Sequence, residues 1–190
     1  MEIKEINNRN YLEIFNDTLF NKKERVLIGV ADNFVVLRGN NCINEQYCKD
    51  NNIEIYNSQH TGGCIVLGDG DVEFNVFRYD GWDDCDKLRA LVFDFLKQKI
   101  PTLSMDNNDF IVDGKYKVAS CSSINAGDNF IYTGFHFSVN VNLEHIKNIC
   151  QKPMVKIPKG LSDYGVTSNQ IVEFLSSLLK EKMGENYVVQ

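Results

Sequence analysis

The chain has 190 residues, 43% hydrophobic and 24% charged, close to the soluble globular average, so a core can be buried and wholesale disorder is excluded. Its 20 Lys and Arg against 26 Asp and Glu leave a net charge of -6, which lacks the broad positive field of sequence-independent nucleic-acid binding. No apolar run nears the ~18 residues that cross a bilayer, and the first ten residues hold no signal-type apolar segment, so a cytoplasmic protein with no nucleic-acid or membrane partner is expected.

Leu12, Phe15 and Leu19 recur at helical spacing, and Asn8 or Asn10 is available as an N-cap, so a helix opens the domain. Arg25 to Val30 and Phe34 to Leu37 are short β-rich runs, and Ala31-Asp32-Asn33 between them has the composition of a hairpin turn. Residues 43–50 read as weakly helical, and Ile53 to Tyr56 alternates as a half-buried strand. Cys64 to Leu67 and Val72 to Phe77 are strand-like, and Gly68-Asp69-Gly70-Asp71 predicts a hairpin turn joining them. Leu88, Leu91, Val92, Phe95 and Leu96 place one helical face over residues 86–100, with acidic residues before it and Pro101 beyond. Phe110 to Val112 and Tyr116 to Ala119 flank Asp113-Gly114, a strong hairpin signal, and Asn129 to Asn140 alternates as a longer strand. A short helix over 143–150, a Pro-containing loop, and a helix from Ser168 to about Met183 complete the chain. The elements predict an α+β fold: one central mixed, mostly antiparallel sheet with helices packed against one face, the other face left for a ligand, and a single domain over 1–190 with no accessory domain.

The cysteines Cys42, Cys48, Cys64, Cys85, Cys121 and Cys150 show no Cys-x-x-Cys pair and no His at zinc-ligand spacing, so no metal site is expected. His60, His136 and His145 have no sequence-adjacent carboxylate partner that would set up a triad. Thr61-Gly62-Gly63 reads either as a plain turn or as a loop whose backbone N–H groups approach an anion. Lys117, on a strand just past the Asp-Gly turn, is either an edge charge or a cation aimed at a developing oxyanion.

The order of these motifs is informative. Arg38-Gly39-Asn40-Asn41, Glu45, Thr61-Gly62-Gly63-Cys64, Asn108-Asp109 and the Lys117-Val118-Ala119-Ser120 hairpin together resemble the lipoate protein ligase and octanoyl transferase family, over residues 8 to 168. The resemblance implies the biotin/lipoate ligase catalytic fold and an acyltransferase that attaches an acyl cofactor to a lysine of a carrier domain. It implies lipoate or octanoate, free or as the acyl adenylate, as ligand, with ATP and Mg as activating co-substrate. It further implies a lipoyl carrier domain or small carrier protein as partner, and a separate accessory subunit. Carried over, Lys117 and Cys150 become catalytic, Cys150 as an acyl-accepting thiolate. Arg38, Asn41, His60, Thr61, Gly62, Gly63, Cys64, Asn108, Asp109, Val118 and Ala119 become ligand-binding.

The sequence also departs from the family pattern. Asn57-Ser58 stands in place of an arginine pair, Thr61 in place of a first glycine, Leu67 in place of a histidine, Ser120 in place of a glycine, and Thr133-Gly134-Phe135 in place of His-Gly-Thr. Two lost guanidinium groups remove the donors that grip a phosphate bidentately. The departures keep a second reading open, a catalytically degenerate acyl- or adenylate-binding module acting with a partner protein. For Cys150, buried packing also remains open, because the negative end of a helix dipole disfavours a thiolate.

Overall fold

The computed structural model describes residues 2–6, 10–32, 34–39, 43–57, 64–79, 82–151 and 154–183. In chain order the elements are β1 (Glu2–Ile6), α1 (Tyr11–Phe20), β2 (Arg25–Val30), β3 (Val35–Arg38), α2 (Glu45–Asp50), β4 (Glu54–Asn57), β5 (Cys64–Leu67) and β6 (Val72–Tyr79). There follow α3 (Trp82–Lys99), β7 (Ser104–Asp106), β8 (Asp109–Val112), β9 (Tyr116–Asn125), β10 (Phe130–Phe137), α4 (Leu143–Ile149), β11 (Ile157–Pro158), a 3₁₀ turn and α5 (Ser168–Met183).

The α+β class holds, and the large sheet is mixed and mostly antiparallel, in the order β1-β2-β6-β10-β9-β8-β7 with β11 beside β9. Its parallel pairs are β1 with β2 and β11 with β9. A separate three-stranded sheet, β4-β3-β5, stands apart from it.

The second sheet corrects two expectations. β2 and β3 are not a hairpin, because β2 pairs with β1 and β6 while β3 pairs with β4 and β5. Nor do β5 and β6 pair, since Gly68 to Gly70 is a turn that carries the chain from the small sheet to the large one. A turn composition reports a change of direction and says nothing of whether its flanking strands then meet. Gly68 is required there by a close approach, because a Cβ would lie 2.3 Å from the Asn140 carbonyl oxygen. At Asp113-Gly114 the hairpin forms as expected, both residues taking positive φ, 54° and 65°, the pattern of a turn matched to strand twist.

Strand alternation divides the core. Val26 and Ile28 of β2 with Phe74 of β6 and Phe135 of β10 meet Val92 and Leu96 of α3 and Ile171 and Leu175 of α5. Phe95 stacks on Phe174 at 4.1 Å between centroids, binding the two helices together. On the opposite face Leu27, Phe77 and Phe130 meet Tyr11 and Phe15 of α1 and Val35, Leu37 and Leu67 of the small sheet. The second face is therefore partly covered, by a helix and a sheet that the sequence did not place there. The outer side of the small sheet packs Val36 and Ile53 against Cys48 of α2 and Ile149 of α4. Among the described residues no helix is long and apolar enough to cross a membrane.

Candidate functional site

Where the small sheet does not cover the large one, a cavity of about 680 Å³ opens, within the size range of small-molecule sites. The large sheet contributes Lys117, Ser120 and His136, β5 contributes Cys64, Ile65 and Val66, and α4 contributes Ile146 and Cys150. Met154, Lys156 and Pro158 close it from the segment after α4, and Phe34 and Val141 add apolar wall.

A β-bulge sets the orientation of the lysine. The β8–β9 register slips between Phe110 and Ile111, so that Phe110 faces Ala119 while Ile111 faces Lys117. Val118 and Ala119 consequently both turn into the core, and Lys117 and Ser120 on either side share the cavity face.

The polar groups of the cavity are tied in two networks. Lys117 Nζ lies 2.8 Å from Asp109 Oδ1, and Lys156 Nζ lies 2.9 Å from Asp109 Oδ2 and 2.8 Å from Asp106 Oδ2. Burial pushes the Asp109 carboxyl up, but the two ammonium groups outweigh it and hold it below the usual carboxylate range. The Asp106 and Asp109 carboxylates likewise raise the Lys156 ammonium. In the second network His136 Nδ1 is 2.6 Å from Glu73 Oε1, and Nε2 is 3.1 Å from Ser138 Oγ and 3.7 Å from Asp71 Oδ2. Burial works against the imidazolium, yet Glu73 and then Asp71 lift it above its ordinary value. His136 has no carboxylate neighbour in sequence, and strand pairing supplies one by setting it opposite Glu73. Asp71 accepts from the N–H groups of Gly68 at 2.7 Å, Val139 at 2.6 Å and Asn140 at 3.3 Å, fastening the turn between the sheets to the end of β10. Burial raises its carboxyl despite those donors.

Cys64, the first residue of β5, and Cys150, which caps α4, both line the cavity. The neighbouring Cys64 side chain lowers the Cys150 thiol to about 7, against the effect of burial. The Cys64 thiol is itself pushed up, first by Cys150 and then by burial. The helix end was expected to raise Cys150, and a neighbour 86 residues away by number (150 − 64) reverses the sign.

The remaining sequence-derived positions are scattered. Asn108 is exposed, its Oδ1 accepting from Arg89 at 3.0 Å, and it is not part of the cavity lining. Arg38 donates to Asn57 Oδ1 at 2.8 Å and pairs with Glu45, on β3 away from the cavity. Cys121 is packed in the core, and burial pushes its thiol up to about 12. Asn41, His60, Thr61, Gly62 and Gly63 lie outside the described residues. Sequence reasoning missed Lys156, Asp71 and the role of His136; a lysine in an irregular loop and partners 63 residues apart leave no periodic signal. Among the described residues no group of His, Cys, Asp and Glu is arranged to hold a metal ion.

Residues 15–189 match the model of the lipoyl protein ligase A/B catalytic domain. No curated protein matches the sequence. Among solved structures the fold is similar to a bi-partite lipoate protein ligase from Thermoplasma acidophilum, described with its E2 lipoyl domain, at 12% identity and a TM-score of 0.74 over 100% of this chain and 85% of that one. It is similar also to a lipoate-protein ligase A bound with ATP, at 13% identity and a TM-score of 0.74, covering 100% of this chain and 89% of the other. A third, P. falciparum LipL1 in complex with lipoate, gives 12% identity and a TM-score of 0.70, with 97% of this chain and 62% of that one covered.

Proposed function

The chain belongs to the lipoyl protein ligase A/B catalytic-domain family, and from that premise we propose that it transfers a lipoyl or octanoyl group to a lysine of a lipoyl carrier domain. The observation that carries this reading is that Lys117 and Cys150 face one cavity whose remaining wall includes Phe34, Ile65, Val66, Val141 and Ile146. Apolar wall removes an acyl chain from water at about 0.8 kcal/mol per methylene. Lys117 is placed to meet the charge that develops on the acyl carbonyl oxygen.

The Cys150 thiolate attacks the carbonyl of an activated acyl donor, and the oxyanion of the tetrahedral intermediate is stabilised by Lys117. The donor's leaving group departs with its bonding electron pair, giving a thioester on Cys150. The neutral amine of the carrier lysine then attacks the thioester, the amide forms, the amine loses its proton to solvent, and the Cys150 thiolate is released. Lipoate and ATP are bound by the similar structures, and one is described with its E2 lipoyl domain. In this chain Asn57 replaces an arginine and Lys117 and Lys156 are already engaged by Asp109. Both features favour a preactivated acyl donor, or activation by a second subunit, over adenylation by this chain alone.

The same two features support one rival, a binding module without turnover. The test is to incubate the protein with an apo lipoyl domain and, in separate arms, lipoate or octanoate with ATP and Mg, synthetic lipoyl adenylate, or an octanoylated carrier, and to read the mass of the acceptor domain. Acylation in the preactivated arms is the expected result. Transfer in none of the arms, with acyl ligands still raising the melting temperature, would replace the enzyme by the module.

A further inference from the structure

We propose that Ser138, His136 and Glu73 form a second catalytic group in the cavity, a nucleophile, a base and an orienting carboxylate that hydrolyse acyl esters and thioesters with no carrier domain present. The inference goes beyond the proposed transfer and takes from it only the acyl class, which the apolar wall of the shared cavity selects.

Strand pairing assembles the group. β10 runs against β6 with His136 opposite Glu73, and Nδ1 lies 2.6 Å from Glu73 Oε1. Ser138 follows two residues later, just past the end of β10, so that both side chains leave the backbone on one face and line the cavity. Its Oγ lies 3.1 Å from His136 Nε2. Both distances are within the reach that an activated nucleophile and its oriented base require. The backbone behind the hydroxyl is fixed from two sides, since the Ser138 N–H donates to the Val118 carbonyl at 2.9 Å and its carbonyl accepts from the Leu161 N–H at 2.8 Å. Asp71 does not compete for Nε2. Its Oδ2 stands 3.7 Å away, beyond hydrogen-bond distance, and its two oxygens are taken by the N–H groups of Gly68, Val139 and Asn140.

With Glu73 accepting from Nδ1–H, the neutral imidazole turns its Nε2 lone pair to the Ser138 hydroxyl. Ser138 Oγ attacks the acyl carbonyl while its proton passes to Nε2, and Lys117, on the adjoining strand β9 and open to the same cavity, faces the oxyanion. The carbon–oxygen or carbon–sulfur bond of the donor then breaks. The leaving group departs with the bonding pair and takes the proton from Nε2, leaving an ester on Ser138. Water attacks that ester, gives a proton to Nε2, and the Ser138 oxygen leaves and recovers it, releasing the free acid.

The test is hydrolysis of p-nitrophenyl octanoate without any carrier, by wild type, Ser138→Ala, His136→Gln and Glu73→Gln. Wild type is expected to turn over, and Ser138→Ala and His136→Gln to lose on the order of 100-fold in rate. Burial lowers the imidazolium, Glu73 and Asp71 raise it more, and Lys117 lowers it, for a net value above 6.5. The rate should therefore rise with pH through a midpoint above 6.5, and through a lower one in Glu73→Gln. As a check free of mutation, a fluorophosphonate should label folded wild type at Ser138 by peptide mass mapping. Acyl-enzyme trapped there should survive neutral hydroxylamine, which cleaves a thioester on Cys150. No Ser138 adduct, or equal hydrolysis by Ser138→Ala, overturns the proposal. A Ser138 adduct with hydrolysis in a protein that acylates no carrier would confirm the group and refute the transfer reading, and carrier acylation without a Ser138 adduct would do the reverse.

Discussion

Asp71→Asn tests how the cavity is built. Asp71 is 2% exposed, its Oδ2 accepts from Gly68 N–H at 2.7 Å and its Oδ1 from Val139 N–H at 2.6 Å. Asparagine has the same shape and keeps one oxygen for Val139, but it turns an NH₂ toward the Gly68 N–H and leaves that donor without an acceptor. A lost hydrogen bond to a charged group is worth about 1.5–3 kcal/mol, and an orphaned buried N–H costs about 1–3 kcal/mol. Against this stands the relief of a buried carboxylate whose pKa burial already raises. The net expectation is a loss of about 2–4 kcal/mol. For a chain of this length that lowers Tm by about 4–16 °C. The assay is thermal unfolding by circular dichroism at neutral pH. The control is Asp69→Asn, an exposed neighbour in the same turn, expected within about 0.5 kcal/mol of wild type. A Tm for Asp71→Asn equal to that of the control would show that the carboxylate does not hold the turn between the two sheets to β10.

Two further outcomes follow from the ion pairs. Asp109→Asn removes the carboxylate shared by Lys117 and Lys156, so pyrophosphate should bind about fivefold tighter by calorimetry, the equivalent of about 1 kcal/mol of released attraction. Stability should fall by no more than about 1 kcal/mol, since the pair is partly exposed. Unchanged or weaker anion binding would mean that Asp109 orients the lysines for a ligand rather than competing with it. His136 is held above its ordinary 6.5 by Glu73 and Asp71, so protonation stabilises the fold fully below that pH and the contribution is lost as pH rises through the raised value. The stability of wild type over His136→Gln in urea should therefore be largest near about pH 6 and shrink above it; a difference that grows with pH would contradict the pairing.

The legible parts of the fold were those written in local sequence. The α3 and α5 stripes carry their own period, and Asp113-Gly114 takes positive φ at both residues. The small sheet was illegible because β3, β4 and β5 carry ordinary strand patterns, and which edge each joins is decided by packing. Val35 and Leu37 turn to the large sheet while Val36 turns to α2 and α4, so β3 is buried on both sides and reads as a plain apolar run. Lys117 could be singled out from its place after the turn, but the bulge that exposes it to the cavity lies in the pairing of β8 with β9. Cys150 gave no sign of its low pKa, because its partner Cys64 comes from a distant strand.

One measurement bears most directly on the role of this cavity: the mass of an apo lipoyl domain after incubation with an activated acyl donor and either wild-type protein or Lys117→Ala. Lys117 shares a partly exposed pair with Asp109, its side chain 32% exposed, so the variant should melt within about 1 kcal/mol of wild type while acylation of the domain slows on the order of 100-fold. Equal acylation by the two proteins, at matched stability, would remove Lys117 from the reaction and with it the assignment of this cavity as the site of acyl transfer.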